Sequence, residues 1–249
     1  MRFSYDTCNA FRKYQEQYYS YVSICKQERC LVSHSTIITS FKFHCKTAKY
    51  YHLRYLFTML LTAPEIRDFI DIIELDSSII LDIRYATSHN FTGKAMYPVA
   101  RCLLRRYAAL LLVQVEQKLK KQGYRLIVYD GYRPLSVQKQ FWAILPDERY
   151  VADPAKGSRH NRGAAVDVSL ADLSGNPLPM PSDYDDFSSK AHRHYTGASS
   201  EALKNKTLLE AAMKEQGFDP FTTEWWHFDA PGWEHYPVSD FPLNAYQTI

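Results

Sequence analysis

Two short stretches far apart in the chain hold the residues for one metal site: Ser158-Arg-His160-Asn-Arg-Gly163-Ala-Ala165-Val-Asp167 and Glu224-Trp-Trp-His227. They offer two imidazoles and a carboxylate as ligands, plus a second carboxylate free to act as a base. A hydrolytic zinc needs that inventory, with three protein ligands and a fourth position open for water. Neither stretch is specific alone. A His in an aromatic run such as Trp225-Trp226-His227-Phe228 is commonly a packed core residue, and an Asp seven residues after a His is commonly a turn or surface residue. The pairing carries the weight, although spacing cannot itself bring two segments together in space.

The elements that must position these residues follow from local pattern. His160 and Asp167 are seven apart, so one regular strand would send them to opposite faces. Gly163 lies between them, where a bulge or tight bend re-aims a side chain. The run Ala164-Ala-Val-Asp-Val-Ser-Leu170 is β-compatible. Asp167 is therefore expected on a strand and His160 in the loop before it. Bulky aromatics around His227 suit a strand as well, with Glu224 at its entrance.

The pattern Ser158-x-His160-x-x-Gly163-x-Ala165-x-Asp167, with Glu224-Trp-Trp-His227 downstream, resembles the signature of the zinc D-alanyl-D-alanine peptidases. Three further segments resemble the VanX-like D-alanyl-D-alanine dipeptidases within that group. They are Arg84-Tyr85-Ala86-Thr87 with Asn90-Phe91-Thr92-Gly93, then Asp130-Gly131-Tyr132-Arg133-Pro134, then Met180-Pro-Ser182-Asp-Tyr184-Asp185. The resemblance spans roughly residues 70 to 245 and keeps the family's order. It implies His160, Asp167 and His227 as ligands of one Zn2+ per chain. Glu224 would be the base that takes a proton from water and passes it to the leaving amine. Arg133 would stabilise charge on the tetrahedral intermediate, and Tyr85, Ser158 and Asp185 would hold the dipeptide, with Asp185 on its free ammonium. The implied activity is hydrolysis of free D-alanyl-D-alanine to two D-alanines, in removal or recycling of cell-wall precursors.

Physical chemistry supports these roles separately. Zinc lowers the pKa of water from about 15.7 towards about 7, a neighbouring carboxylate is the usual proton carrier, and an arginine offers fixed charge and planar donors to an oxyanion. Read without the resemblance, Arg133 sits where Asp130-Gly131 makes a turn and Pro134 starts a helix, so loop geometry alone accounts for it. Tyr85 by itself is a half-buried strand tyrosine. Two alternatives stand beside the dipeptidase: a D,D-carboxypeptidase acting on longer muropeptides, and a non-catalytic relative that binds zinc or a wall fragment. Glu224 speaks against the latter, since a binding module has no need of a base beside its metal.

Of the 249 residues, 46% are hydrophobic, with 19 Tyr and 13 Phe, which is ample for a core. The net charge of +3 hides an asymmetry: residues 1–60 hold nine Lys/Arg against three Asp/Glu, leaving 21 against 24 for the rest. The chain thus divides into a basic, Tyr- and Cys-rich extension over 1–63 and a catalytic domain over 64–249. The extension reads as a solvated leader, and no nucleic-acid partner is expected. Cys8, Cys25, Cys30 and Cys45 fall in it, in no recognised zinc pattern, and only Cys102 lies beyond. The longest apolar stretch, over 56–63, is far short of the roughly 20 residues a membrane span requires. With the basic residues before it, the stretch has the shape of a short signal-peptide core at the wrong distance from Met1. It reads as an ordinary buried segment, with an export signal within 46–63 as the alternative. Location is accordingly cytoplasmic or periplasmic, without stable membrane insertion, and oligomeric state stays open.

Residues 65–87 read as a β-rich approach, 100–121 as the clearest helix, and 124–129 as the strand delivering the Arg133 turn. Helices are expected over 135–145 and from about 200 to 216, the latter capped by Ser199 or Ser200 and stopped by Gly217. Residues 175–182 form a turn-rich loop. Without regular βαβ alternation, this order predicts an α+β fold with an antiparallel sheet and flanking helices. The resemblance implies the same architecture, that of the zinc D-Ala-D-Ala peptidases, in a single catalytic domain.

Overall fold

The computed structural model describes Ile66 and residues 68–247, so the leader, its cysteines and the 46–63 segment lie outside the described residues. In chain order the elements are β1 (Phe69–Asp71), the one-turn helix α1 (Ile72–Leu75), β2 (Ile80–Leu81), β3 (Leu103–Arg105), α2 (Arg106–Lys121), β4 (Tyr124–Asp130), α3 (Leu135–Ile144), β5 (Ala165–Asp172), α4 (Ser200–Glu215), β6 (Asp219–Pro220) and β7 (His227–Asp229). A five-stranded sheet runs in the order β2-β4-β5-β7-β6, and β1 pairs with β3 in a separate ribbon. The architecture is α+β, as the element order predicts.

The sheet is antiparallel except between β2 and β4, which are parallel. The exception has a physical cause. Between these two strands the chain crosses over through β3 and the 16-residue α2, which returns it to the starting end. Helix α2 touches both β4 and α4, and α4 also reaches β5 and β6. Strand β5 alternates as a covered strand should. Val166, Val168 and Leu170 form one face, paired across β4 and β7 with Val128, Leu126 and Phe228, while Asp167 and Ser169 point the other way. The first face joins the apolar core with Leu112, Val115 and Leu119 of α2 and Leu209 and Met213 of α4. The second carries the chemistry.

Two expected elements differ. Helical spacing over 100–121 predicts one helix, but Leu103–Arg105 form β3, and the helix begins at Arg106. All three residues of β3 are buried, and the pairing Phe69↔Arg105, Ile70↔Leu104 and Asp71↔Leu103 outweighs their helical spacing. Within the β-rich approach, Ile72–Leu75 coil into a single turn because the Asp71 carboxylate accepts from the Ile73 N–H and caps it. Tyr85 lies in the 3-10 turn Arg84–Ala86, fully buried, and not on a strand. The other expectations hold closely. Pro134 sits at the N-cap of α3, the Ser199 side chain caps α4, and Gly217 takes a left-handed φ of 89° just beyond it. Cys102 is a buried free thiol. Among the described residues no helix is long and apolar enough to cross a membrane.

Candidate metal centre

Asp167 and His227 face each other across the β5–β7 pair, so their side chains leave the same face of the sheet as directly opposed neighbours. His160 reaches them from the 3-10 turn His160–Arg162. Gly163 ends that turn with φ 68°, and a Cβ there would stand 2.1 Å from the Phe69 ring, so only glycine meets both conditions. The turn is tied from both ends. Asn161 Oδ1 accepts from the Ser158 N–H at 2.7 Å, and Ser158 Oγ accepts from the Asn161 N–H at 3.1 Å. Asn161 Nδ2 also donates to the Arg133 carbonyl at 2.8 Å, and the Arg133 N–H donates to the His160 carbonyl at 3.1 Å. The His160 turn and the Gly131-Tyr-Arg133 turn are thereby one unit.

The three ligand atoms form a nearly equilateral triangle. His160 Nε2 lies 3.1 Å from His227 Nδ1 and 3.3 Å from Asp167 Oδ1, and His227 Nδ1 lies 3.1 Å from Asp167 Oδ1. Tetrahedral zinc with bonds of about 2.0–2.2 Å separates its ligands by about 3.3–3.6 Å, so an ion fits with shifts of a few tenths of an ångström. The far sides of the rings fix the tautomers. His160 Nδ1 faces the Gly131 carbonyl at 2.8 Å and donates to it, while His227 Nε2 donates to Asp229 Oδ1 at 2.9 Å. Two imidazole lone pairs and one carboxylate oxygen then converge on one point, and only a cation satisfies all three.

Electrostatics agree. Burial disfavours charge on Asp167, but His160 and His227 more than offset it and hold the carboxyl well below the usual carboxylate range. Burial likewise opposes charge on His227, yet Asp167 and Asp229 lift the imidazole to about 10. The cluster draws positive charge, whether proton or metal ion, into the space between its ligands.

The remaining predicted residues ring this triangle. Glu224 sits in the loop before β7 with Oε2 3.7 Å from His227 Nδ1 and about 24% of its side chain exposed. Burial pushes its carboxyl up, against a pull from His227. Arg133 is buried; Nε and Nη2 donate to Asp130 Oδ2 at 3.1 and 2.7 Å, and Nη1 donates to Gln138 Oε1 at 3.0 Å. Its guanidinium lies over the rings of Phe141 and Tyr85. The Tyr85 hydroxyl donates to both oxygens of Asp185, at 3.0 and 3.1 Å. Asp185 is the one described non-glycine residue with positive φ, at 59°. Burial pushes its carboxyl to about 7, with Tyr85 and Arg133 opposing and Asp167 and Glu224 reinforcing. Ser158 spends its contacts on the His160 turn.

Other residues take part that motif spacing does not single out. Asp130 is opposite Asp167 because β4 carries a register shift between Val128 and Asp130, and it also accepts from the Tyr97 hydroxyl at 2.7 Å. Asp229 lies two residues after His227 on one strand, hence on one face, which is a signal the sequence did contain. Its other oxygen is 3.0 Å from Arg159 Nε. The Tyr184 hydroxyl donates to Asp167 Oδ2 at 2.8 Å.

A His-Asp-His cluster that could hold a metal ion, with the Glu224 carboxylate 3.7 Å from one of its nitrogens and set on one face of an α+β sheet, has the make-up of a metal-dependent hydrolase. The sequence comparisons narrow the class. Residues 66–243 match the family model described as D-Ala-D-Ala dipeptidase, and the chain belongs to that family of metallopeptidases. A D-alanyl-D-alanine dipeptidase of Escherichia coli K12 is 36% identical over 171 residues, covering 69% of this chain and 89% of that protein. One from Enterococcus faecium is 32% identical over 186 residues, covering 66% and 92%. Among solved structures, the vancomycin resistance D,D-pentapeptidase VanY in complex with Zn(II) gives a TM-score of 0.37 at 16% identity, covering 55% of this chain and 78% of that one.

Proposed function

We propose that this protein hydrolyses free D-alanyl-D-alanine to two D-alanines with one zinc per chain, in removal or recycling of cell-wall precursors. The observation that carries this reading is the lone-pair triangle of His160, Asp167 and His227 with Glu224 beside its open side. Two nitrogens and one oxygen suit zinc among the divalent metals. Bound there, the ion supplies Lewis acidity to a carbonyl and brings the pKa of water towards about 7.

The chain's own groups supply the rest. Glu224 takes a proton at Oε2 from the attacking water and returns it to the leaving nitrogen. A carboxyl pushed up by burial holds that proton more readily than an exposed one does. Arg133, clamped by Asp130 and Gln138, presents a charge it cannot lose to the oxygen that becomes negative. Asp185 binds the substrate's ammonium, and Tyr85 aims its carboxylate. Ser158 acts through the His160 turn and bounds the space for the dipeptide backbone.

The test compares zinc-loaded protein on free D-Ala-D-Ala, its N-acetyl derivative and a muropeptide-like pentapeptide ending in D-Ala-D-Ala. Acylation leaves the Asp185 carboxyl without its partner. Because that carboxyl can take a proton near pH 7, the penalty is about 1–3 kcal/mol, or roughly 10- to 100-fold in kcat/KM. The free dipeptide is expected to win by at least that margin, and L-Ala-L-Ala to be poorer than the D,D dipeptide. Equal rates on the pentapeptide would overturn the dipeptidase reading in favour of a D,D-carboxypeptidase.

A further inference from the structure

Asp167 uses its two oxygens differently. Oδ1 faces the ligand nitrogens, 3.3 Å from His160 Nε2 and 3.1 Å from His227 Nδ1, whereas Oδ2 accepts from the Tyr184 hydroxyl at 2.8 Å. A carboxylate can hold zinc through one oxygen or both, and a second bound oxygen would occupy space that water or a substrate carbonyl needs. What decides is whether the second oxygen has another partner.

From this geometry we infer that Tyr184 is a positioning residue that keeps Asp167 a one-oxygen ligand and so keeps the metal's reactive side open. The inference rests on the metal-site reading above and goes beyond it.

The tyrosine is built to hold that post. Its ring lies 4.8 Å from Tyr129 and 5.3 Å from Trp226, the neighbours in sequence of Asp130 and His227, and 6.0 Å from Tyr85. The ring is therefore held by β4 and by the residue just before β7. The next residue, Asp185, bends the chain with φ 59° and takes the Tyr85 hydroxyl on both oxygens. One dipeptide step thus places a donor on the metal's carboxylate and a carboxylate where the ammonium is to bind. If Tyr184 were present only to fill space, its ring would suffice and its hydroxyl would not matter.

Tyr184→Phe separates the two cases, since it keeps every ring contact and removes the one donor. Full-length protein is loaded with Co(II) in place of zinc, and the visible spectrum is read as a difference from the His160→Ala/His227→Ala variant, which removes any cobalt held by leader cysteines. Cobalt absorbs several times more strongly when four-coordinate than when five-coordinate. The expected result is a strong four-coordinate spectrum for the unmodified chain and a several-fold weaker one for Tyr184→Phe. Metal affinity should be equal or higher in the variant, while kcat falls about 10- to 100-fold, the usual scale for an outer-sphere partner. X-ray absorption of the zinc form needs no variant: one Asp167 oxygen bound is expected, and two bound oxygens would overturn the inference. An unchanged cobalt spectrum in Tyr184→Phe would overturn it too. Should the difference spectrum of the unmodified chain itself be empty, the metal-site reading fails first and the inference falls with it.

Discussion

The two halves of the site are built on opposite terms. In the half proposed to hold the metal each of the three side chains has a second partner on its far side: Gly131 behind His160, Asp229 behind His227 and Tyr184 behind Asp167. The half proposed to face the substrate is held less comfortably. Asp185 has a left-handed backbone and a carboxyl pushed to about 7, and burial pushes Glu224 up as well. The contrast teaches where each kind of damage should appear. Removing His160, Asp167 or His227 from the first half should cost metal, while removing only the Tyr184 hydroxyl should spare the metal and cost rate. Changes in the second should cost rate, and some should gain stability, because buried carboxylates awaiting a substrate are poorly solvated.

The largest effect that tests this division is at Glu224. Glu224→Ala should keep its zinc and lose about 10²–10⁴ in kcat, the range for a general acid–base. Loss of zinc in that variant would put Glu224 in the wrong half. Arg133→Ala comes next, with about 10²–10³ expected if it acts as one oxyanion donor and zinc again retained. It also strips Asp130 of two bonds, so a melting curve should accompany the kinetics.

Asp185→Asn sharpens the comparison further, because it should lose activity and gain stability together. The folded carboxyl, at about 7, binds a proton more tightly than the unfolded one at 3.8. The wild-type penalty is therefore absent below about pH 4, grows as pH rises and is complete above about pH 7. Discounted for partial exposure, it amounts to about 1 kcal/mol, or about 2–4 °C in Tm for a chain of this size. Chelator-treated Asp185→Asn should melt that much higher than wild type at pH 8 and equally at pH 4. A variant less stable at pH 8 would show that Asp185 belongs to the well-satisfied half. The smallest effect is expected from deleting residues 1–50, which should leave kcat/KM within about twofold. Loss of soluble, active protein would instead make the leader part of the enzyme.

The sequence makes the clustering of His160, Asp167 and His227 legible because metal chemistry restricts residue type and spacing together. The seven-residue gap from His160 to Asp167 looks wrong for one strand, and it resolves through the 3-10 turn and Gly163, as the glycine's position suggests. What the sequence hides are choices settled by tertiary contact. Leu103 and Leu104 suit a helix or a strand equally, and only the partner strand β1 decides. The parallel β2–β4 pair depends on where a long crossover returns. Asp130 needs the register shift in β4 before it can face the site, and Tyr184 needs a fold that brings residue 184 to residue 167. Neither condition leaves a mark in local spacing.

The most direct test of the central claim is a zinc count. Purified chain should carry one more tightly held zinc per molecule than the His160→Ala/His227→Ala double variant, with D-Ala-D-Ala hydrolysis lost in step with that ion. Any zinc bound by leader cysteines is common to both proteins and cancels. Equal zinc in the two, or full activity in the double variant, would contradict the account.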